Sequence, residues 1–112
     1  MGLKSYLSGI KGENKACEFL KNNNFEIIER NFRSKFGEID IVAKKDKILH
    51  FIEVKYGEKN YELAYRLDYK KYCKILKTID FYILKRKLVT DFQVDLICIN
   101  KDDIEFLENI SF

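Results

Sequence analysis

Apolar residues near the N-terminus recur at the spacing of a helix. Ile10, Ala16, Cys17 and Leu20 fall on one stripe when each residue turns the chain by about 100°. Three consecutive asparagines at positions 22–24 then favour a turn over the interior of a helix. The pattern therefore predicts a helix over about residues 8–22.

The rest of the chain alternates between strand-like and helical patterns. Segments rich in β-branched and aromatic residues predict five strands, over residues 25–32, 38–45, 48–55, 92–100 and 104–110. A short polar turn at Asp46 and Lys47 makes the second and third of these a β-hairpin. A long helical pattern covers roughly residues 62–87. The order α-β-β-β-α-β-β predicts an α/β fold with a central mixed sheet flanked by helices.

The hairpin is predicted to bring acidic side chains together. With a two-residue turn, positions opposite each other have numbers that sum to 93, so Asp40 lies across from Glu53, and Glu38 across from Lys55. The rest of this face is apolar apart from a lysine near the turn. The acids would then cluster at one end of a buried surface. A loop of odd length or a bulge would break this arrangement.

The opposite face of the hairpin is predicted to carry Ile39, Ile41 and His50. We interpret His50, the one histidine of the sequence, as a hydrogen-bonded core residue rather than a catalytic base. Asp95 lies in the apolar segment of a later strand. It either supports the acids from behind or forms a buried structural ion pair, and the sequence leaves both open.

Two carboxylates held this closely repel each other, and partial burial strengthens the repulsion. A divalent ion that prefers oxygen ligands, magnesium or manganese, would relieve it and could act on a phosphate. Lys55 would orient the attacking water or stabilise the charge that develops on the phosphate. Glu13 falls within the apolar stripe of the first helix, where an unpaired charge is costly. It could bind the same metal or pair with Lys55.

Composition and charge limit the classes of protein that fit. The chain has 112 residues, which we expect to form one domain over residues 1–112, and its 46% hydrophobic content argues against wholesale disorder. A net charge of +3 permits an anionic partner without requiring one. Three widely spaced cysteines are typical of reduced thiols. With no long apolar segment, we expect a soluble cytoplasmic protein that does not bind membranes.

The second predicted helix is strongly basic. Residues 66–87 contain eight lysines and arginines against two aspartates. A phosphate-binding face formed by Lys70, Lys71, Lys74 and Lys77, together with Arg33, is one interpretation, and a solvated helix face is the other. Tyrosines also recur every three or four residues, at positions 61, 65, 69 and 72. They could stack on bases, pack in the core or form a dimer contact.

Two short motifs carry a family resemblance. The segment Gly37-Glu38-Ile39-Asp40, followed twelve residues later by Glu53-Val54-Lys55, resembles the PD-(D/E)XK nuclease motif. Nearly the whole chain is similar to the YraN family of predicted endonucleases, and the pattern is also similar to that of archaeal Holliday-junction resolvases. Further positions that carry the likeness are Gly12-Glu13, Ala16, Arg30-Asn31 and Asp95.

This resemblance implies a restriction-endonuclease-like fold with Glu13, Asp40, Glu53 and Lys55 as the active-site set. Ile39 replaces the proline in the motif's name. Tyr56-Gly57 stands where relatives usually have a basic residue, and Gln93 where they often have arginine. These last two departures concern substrate contacts more than the metal site.

Together these observations predict a magnesium- or manganese-dependent endonuclease that hydrolyses DNA and selects its substrate by structure. Asp40 and Glu53 would be direct ligands, Glu13 a direct or water-mediated one, and Lys55 the catalytic cation. The rival prediction is a non-catalytic nucleic-acid-binding module of the same fold, and a third is a homodimeric scaffold built on the tyrosines. Dimerisation and a protein partner that supplies specificity also stay open.

Overall fold

The computed structural model describes residues 3–56, 69–100 and 103–110, with side chains described from Gly12 onward in the first helix. Within these residues the chain forms two helices and five strands, which confirms the predicted α/β class. In chain order the elements are α1 (Leu3–Asn22), β1 (Glu26–Ser34), β2 (Gly37–Lys45), β3 (Ile48–Tyr56), α2 (Tyr69–Lys85), β4 (Asp91–Ile99) and β5 (Ile104–Leu107).

The strands form one mixed sheet in the order β1-β2-β3-β4-β5. The β3–β4 pair is parallel, and the other neighbours are antiparallel. Each face of the sheet has its own hydrophobic cluster, one beneath α1 and the other beneath α2. Because helices cover both faces, the central strands β2 and β3 are apolar on both sides, as the sequence pattern predicted.

Both helices end in a left-handed residue that caps the last turn. At the end of α1, Asn24 has a φ of 69° and the Phe25 N–H donates to the Leu20 carbonyl at 2.9 Å. Lys87 plays the same part after α2, with a φ of 54°. These are Schellman caps, which satisfy carbonyls that the helix leaves without partners. The asparagine run therefore ends α1 where the sequence predicted.

The helices differ from their predicted extents. The first begins at Leu3 instead of residue 8, since Leu3 and Leu7 continue the helical spacing of apolar residues. The second covers Tyr69–Lys85 of the predicted residues 62–87. The predicted residues 62–68, including Tyr65 and Arg66, lie outside the described residues, as does Tyr61. No helix in the described part of the chain is long and apolar enough to cross a membrane.

The hairpin turn confirms the predicted register. Asp46 and Lys47 have φ values of 51° and 67°, which is the conformation of a two-residue type I′ turn. The paired residues run from Lys45 opposite Ile48 to Ile41 opposite Ile52, and every pair has numbers that sum to 93.

The predicted alternation of faces along β2 is wrong at one residue. Ile39 packs in the cluster beneath α2, although Ile41 packs beneath α1 as expected. In β1, Arg30 pairs with Ile41 and Phe32 pairs with Ile39. Asn31 lies between these two residues and has a φ of 54°. A regular two-residue period holds only in a regular strand, so this distortion interrupts the alternation next to Asp40.

Candidate metal and nucleic-acid site

Backbone pairing between β2 and β3 ends immediately before Asp40 and Glu53. The last pair is Ile41 with Ile52, so Asp40 and Glu53 lie where the two strands separate. The Asp40 Oδ2 atom accepts a hydrogen bond from the Val54 backbone N–H at 2.8 Å. The side chain of Asp40 thus occupies the opening and satisfies a donor that the sheet leaves unpaired there.

Glu53 is a buried carboxyl group with an unsatisfied oxygen. Its residue is 6% exposed, and its Oε1 atom has no hydrogen-bond partner among the described residues. Burial, followed by the negative charge of Asp40, raises the pKa of Glu53 to about 8. Without a bound cation this group therefore holds its proton at neutral pH.

The pKa of Asp40 is raised as well. Burial is the largest cause, and the charges of Glu13 and Glu38 act in the same direction. The Val54 hydrogen bond and the charge of Lys55 partly oppose them. Burial therefore disfavours the ionised form of both carboxyl groups in this opening, and a cation between them would favour that form.

Lys55 is the cation nearest in sequence to these acids. Burial and the neighbouring Lys71 lower its pKa, while Glu53 and Asp40 oppose that shift. The charge of Lys55 and the two carboxyl groups thus influence one another within one site. This arrangement brings the sequence-predicted residues Asp40, Glu53 and Lys55 together.

The opening widens into a cavity of about 630 Å³ between the sheet and the N-terminal half of α2. The residues that line it are Gly37, Glu38, Asp40, Glu53, Val54, Lys55, Lys70, Lys71, Lys74 and Ile75. The strands contribute three acids and Lys55 to this lining, and α2 contributes three lysines. Lys77, also predicted to bind nucleic acid, is exposed outside this lining.

Glu38 and Arg33 bind each other at the edge of the site. Their atoms Oε2 and Nε are 3.1 Å apart, and both side chains are well exposed. Glu38 is thus a partner of a basic side chain. Arg33, predicted to bind nucleic acid, lies outside the cavity lining.

Glu13 has different neighbours from those the sequence predicted. Its Oε1 atom accepts hydrogen bonds from Arg30 at 3.0 Å and from Asn31 at 2.9 Å, and it does not line the cavity. The alternative pairing with Lys55 is therefore replaced by a contact with β1. No pattern in the sequence indicated a role for Arg30 or Asn31, although both belong to the positions that carry the family likeness.

His50 and Asp95 form a separate, satisfied cluster on the face beneath α1. The His50 Nδ1 and Asp95 Oδ2 atoms are 2.5 Å apart, and both residues are buried. The other carboxylate oxygen accepts from the Gln93 side chain and from the Asn109 backbone. His50 is thus a hydrogen-bonded core residue, as predicted, and the structural interpretation of Asp95 is confirmed.

The residues present fit a hard divalent ion with few protein ligands. Within the described residues no group of three or more His, Cys, Asp or Glu side chains could enclose a metal. Asp40 and Glu53 offer two carboxylates, and the unpartnered Oε1 atom supplies a free donor. Magnesium retains several of its own waters and is commonly held by one or two carboxylates plus substrate phosphate, so two ligands suffice.

Comparison with known proteins places the chain in a family. Residues 12–99 match the model of the family described as "Uncharacterised protein family UPF0102". A UPF0102 protein of Campylobacter lari is 68% identical over the full length of both chains. Relatives with the same name from Campylobacter jejuni subsp. doylei and Campylobacter fetus are 66% and 54% identical, again over both full lengths. This protein therefore belongs to the UPF0102 family.

Proposed function

We propose that this protein is a magnesium- or manganese-dependent endonuclease that hydrolyses DNA phosphodiester bonds and belongs to the PD-(D/E)XK, restriction-endonuclease-like class. The observation that carries the proposal is the buried Glu53 carboxyl, whose Oε1 atom has no partner in the described part of the chain and lies beside Asp40 in a cavity lined by lysines. An unpaired buried acid destabilises a fold. Its presence at an open cavity is therefore explained best by a ligand.

Asp40 and Glu53 would hold the divalent ion. When bound, such an ion polarises a phosphoryl oxygen and lowers the pKa of a coordinated water. Binding requires Glu53 to lose the proton that burial retains, and the Val54 N–H fixes the orientation of the Asp40 carboxylate. Glu13 contacts Arg30 and Asn31 instead of the cavity, so we assign it the support of β1 beside Asp40.

Lys55 would act on the phosphate itself. Hydrolysis forms one bond from water oxygen to phosphorus and breaks one bond from phosphorus to a sugar oxygen, while negative charge grows on the phosphoryl oxygens. A partly buried ammonium stabilises such charge more strongly than one in water. Lys55 lines the cavity together with both acids, which is the position that this role requires.

The lysines of α2 would position the substrate. Lys70, Lys71 and Lys74 form one side of the cavity, opposite the strands that carry the acids. Phosphate contacts of this kind set the register of a nucleic acid without reading its sequence. With this mode of contact we propose selection by structure, such as branched or damaged DNA, in preference to a defined sequence.

The direct test is a cleavage assay with supercoiled plasmid and with branched and single-stranded oligonucleotides, in magnesium, manganese or EDTA. We expect cleavage only with a metal, and a loss on the order of 100-fold or more in Asp40→Asn and in Lys55→Met. Matched controls are Asp80→Asn and Lys44→Met, which change exposed side chains outside the cavity. Equal loss in the controls, or cleavage that survives Asp40→Asn, would refute the assignment.

The lysine side of the cavity also favours a second candidate, a nucleic-acid-binding module without catalysis. Such a module would bind DNA with a salt-dependent affinity that falls when Lys70 or Lys74 is removed. It would show no turnover with any divalent metal. Calorimetric titration of the metal separates the two candidates. The endonuclease should bind the metal and lose that binding in Asp40→Asn, whereas the binding module has no such requirement.

A further inference from the structure

A stripe of three lysines and one aromatic ring leads away from the cavity along α2. Lys70, Lys74, Lys77 and Phe81 follow one another at spacings of four, three and four residues, which places them on one side of the helix. All four are exposed, Phe81 to 36%, whereas the neighbouring side of the helix packs Ile75 and other core residues. We call these four residues the α2 stripe.

The turn between β1 and β2 borders the α2 stripe. Ser34 and Thr78 have hydroxyl oxygens 3.3 Å apart, so the turn rests directly on α2. A Cβ placed on Gly37 would lie 3.9 Å from the Cβ of Lys74. Phe36, next to this glycine, is also 36% exposed. The turn thus adds a second exposed ring beside the helix.

Each of these rings is accompanied by a cation. The Lys35 ammonium lies 5.2 Å from the centre of the Phe36 ring, and the Lys85 ammonium 5.9 Å from the centre of the Phe81 ring. Phe81 packs against Phe32, with ring centres 6.1 Å apart. The surface therefore offers aromatic faces for stacking together with positive charge for phosphate.

We propose that the α2 stripe and Phe36 bind an unpaired strand of nucleic acid that continues from the cavity. This deepens the proposed function by naming the substrate class, a DNA with a single-stranded segment next to the cleaved bond. Bases in a duplex already stack on one another and present no face to a protein ring, whereas unpaired bases stack on aromatic side chains. The stripe spans about 16 Å along the helix axis, enough for a short run of nucleotides beyond the cavity.

Fluorescence anisotropy in EDTA tests this inference without any cleavage. The probes are labelled thymidine oligomers of 3, 6, 9 and 12 nucleotides and a blunt 12-base-pair duplex. We expect the wild-type protein to bind the single strands more tightly than the duplex, with affinity rising up to the 9-mer. Equal or tighter binding of the duplex would overturn the inference.

Substitutions locate the binding surface. Phe36→Leu and Phe81→Leu keep an apolar side chain but remove the ring, and each should weaken single-strand binding by roughly tenfold. Tyr69→Leu is the matched control, because Tyr69 is an aromatic residue on the same helix, outside the stripe, and 67% exposed. Unchanged affinity in both phenylalanine variants, or an equal loss in Tyr69→Leu, would show that these rings do not hold the strand.

The outcome of this binding test can be told apart from the outcome of the cleavage test. Single-strand binding in EDTA together with no metal-dependent cleavage would leave the stripe as a binding site and refute the endonuclease. Metal-dependent cleavage of fully paired DNA, with no effect of the two phenylalanine variants, would refute the stripe and leave the endonuclease.

Discussion

Two neighbouring strands each carry a buried acid, and the two acids have opposite surroundings. Asp95 of β4 is fully buried and its carboxylate accepts bonds from the Gln93 side chain and the Asn109 backbone, besides its contact with His50. Glu53 of β3 is nearly as buried, yet its Oε1 atom has no partner among the described residues.

The difference separates an acid that stabilises the fold from one that is kept for a ligand. Hydrogen bonds compensate Asp95 for its lost hydration, so it can remain buried without an external partner. Glu53 lacks that compensation and instead has a pKa raised to about 8. Removing Asp95 should therefore lower the stability of the fold, whereas removing Glu53 should impair metal binding at a much smaller cost in stability.

The largest expected effect on stability is at Asp95. Asp95→Ala leaves the His50 side chain and the Asn109 N–H without their partner, and we expect a loss of about 3–5 kcal/mol in the free energy of unfolding. Urea titration followed by circular dichroism measures it. Glu53→Gln, a substitution at a similarly buried acid, should cost far less. Equal losses would remove the distinction between the two acids.

The next effect is a pH dependence of stability in metal-free buffer. Between about pH 4.5 and pH 8, folded Glu53 holds a proton that the unfolded chain has released. The folded state binds more protons, so the free energy of unfolding should fall with rising pH, by up to about 1.4 kcal/mol per pH unit. Glu53→Gln should lose most of this slope, and Asp40, shifted in the same direction, accounts for the rest.

Urea titrations with EDTA at pH 5, 6, 7 and 8 measure that slope. Adding magnesium or manganese at pH 8 should restore stability to the wild-type protein and not to Glu53→Gln, since the ion replaces the proton. A slope that persists unchanged in Glu53→Gln would place the proton on another group.

A smaller effect is expected at Glu13. Glu13→Gln weakens the contact with Arg30 and retains an oxygen for Asn31, so we expect a loss of about 1 kcal/mol in the free energy of unfolding. Metal affinity measured by calorimetry should change by less than about threefold, about 0.65 kcal/mol. A loss of metal binding as large as in Asp40→Asn would instead make Glu13 a ligand, as the family resemblance implies.

The smallest effect should come from Glu38. Its pairing partner Arg33 has a side chain that is 77% exposed, and surface ion pairs contribute little. Glu38→Gln should therefore change the midpoint of thermal unfolding by less than about 3 °C and leave metal affinity unaltered. Scanning calorimetry and the same metal titration check both values. A marked loss of metal affinity would add Glu38 to the ligand set.

Much of the framework follows from local features of the sequence. The asparagine run ends α1, and the pair Asp46-Lys47 forms the two-residue turn that sets the register of the hairpin. Once that register is known, Asp40 and Glu53 must each fall one residue beyond the last pair, Ile41 with Ile52, and therefore near each other. Family membership likewise confirms what the motifs indicated, whereas the nuclease activity stays a prediction.

Contacts between distant segments could not be predicted from local features of the sequence. The partner of Glu13 comes from β1, where Asn31 adopts a positive φ that no short motif predicts. The same distortion turns Ile39 toward α2 and breaks the two-residue period. A pattern argument treats each strand as regular, so it fails where a neighbouring strand distorts it.

The order of elements, the hairpin register and the identity of the acids follow from the amino-acid sequence, because propensity, turn chemistry and strand spacing act over a few residues. Which buried acid is satisfied and which is open depends on contacts between distant segments. Asp95 and Glu53 both lie in apolar strands and look alike in sequence. Their partners come from β3 and from the segment after β5 in one case, and from none of the described residues in the other.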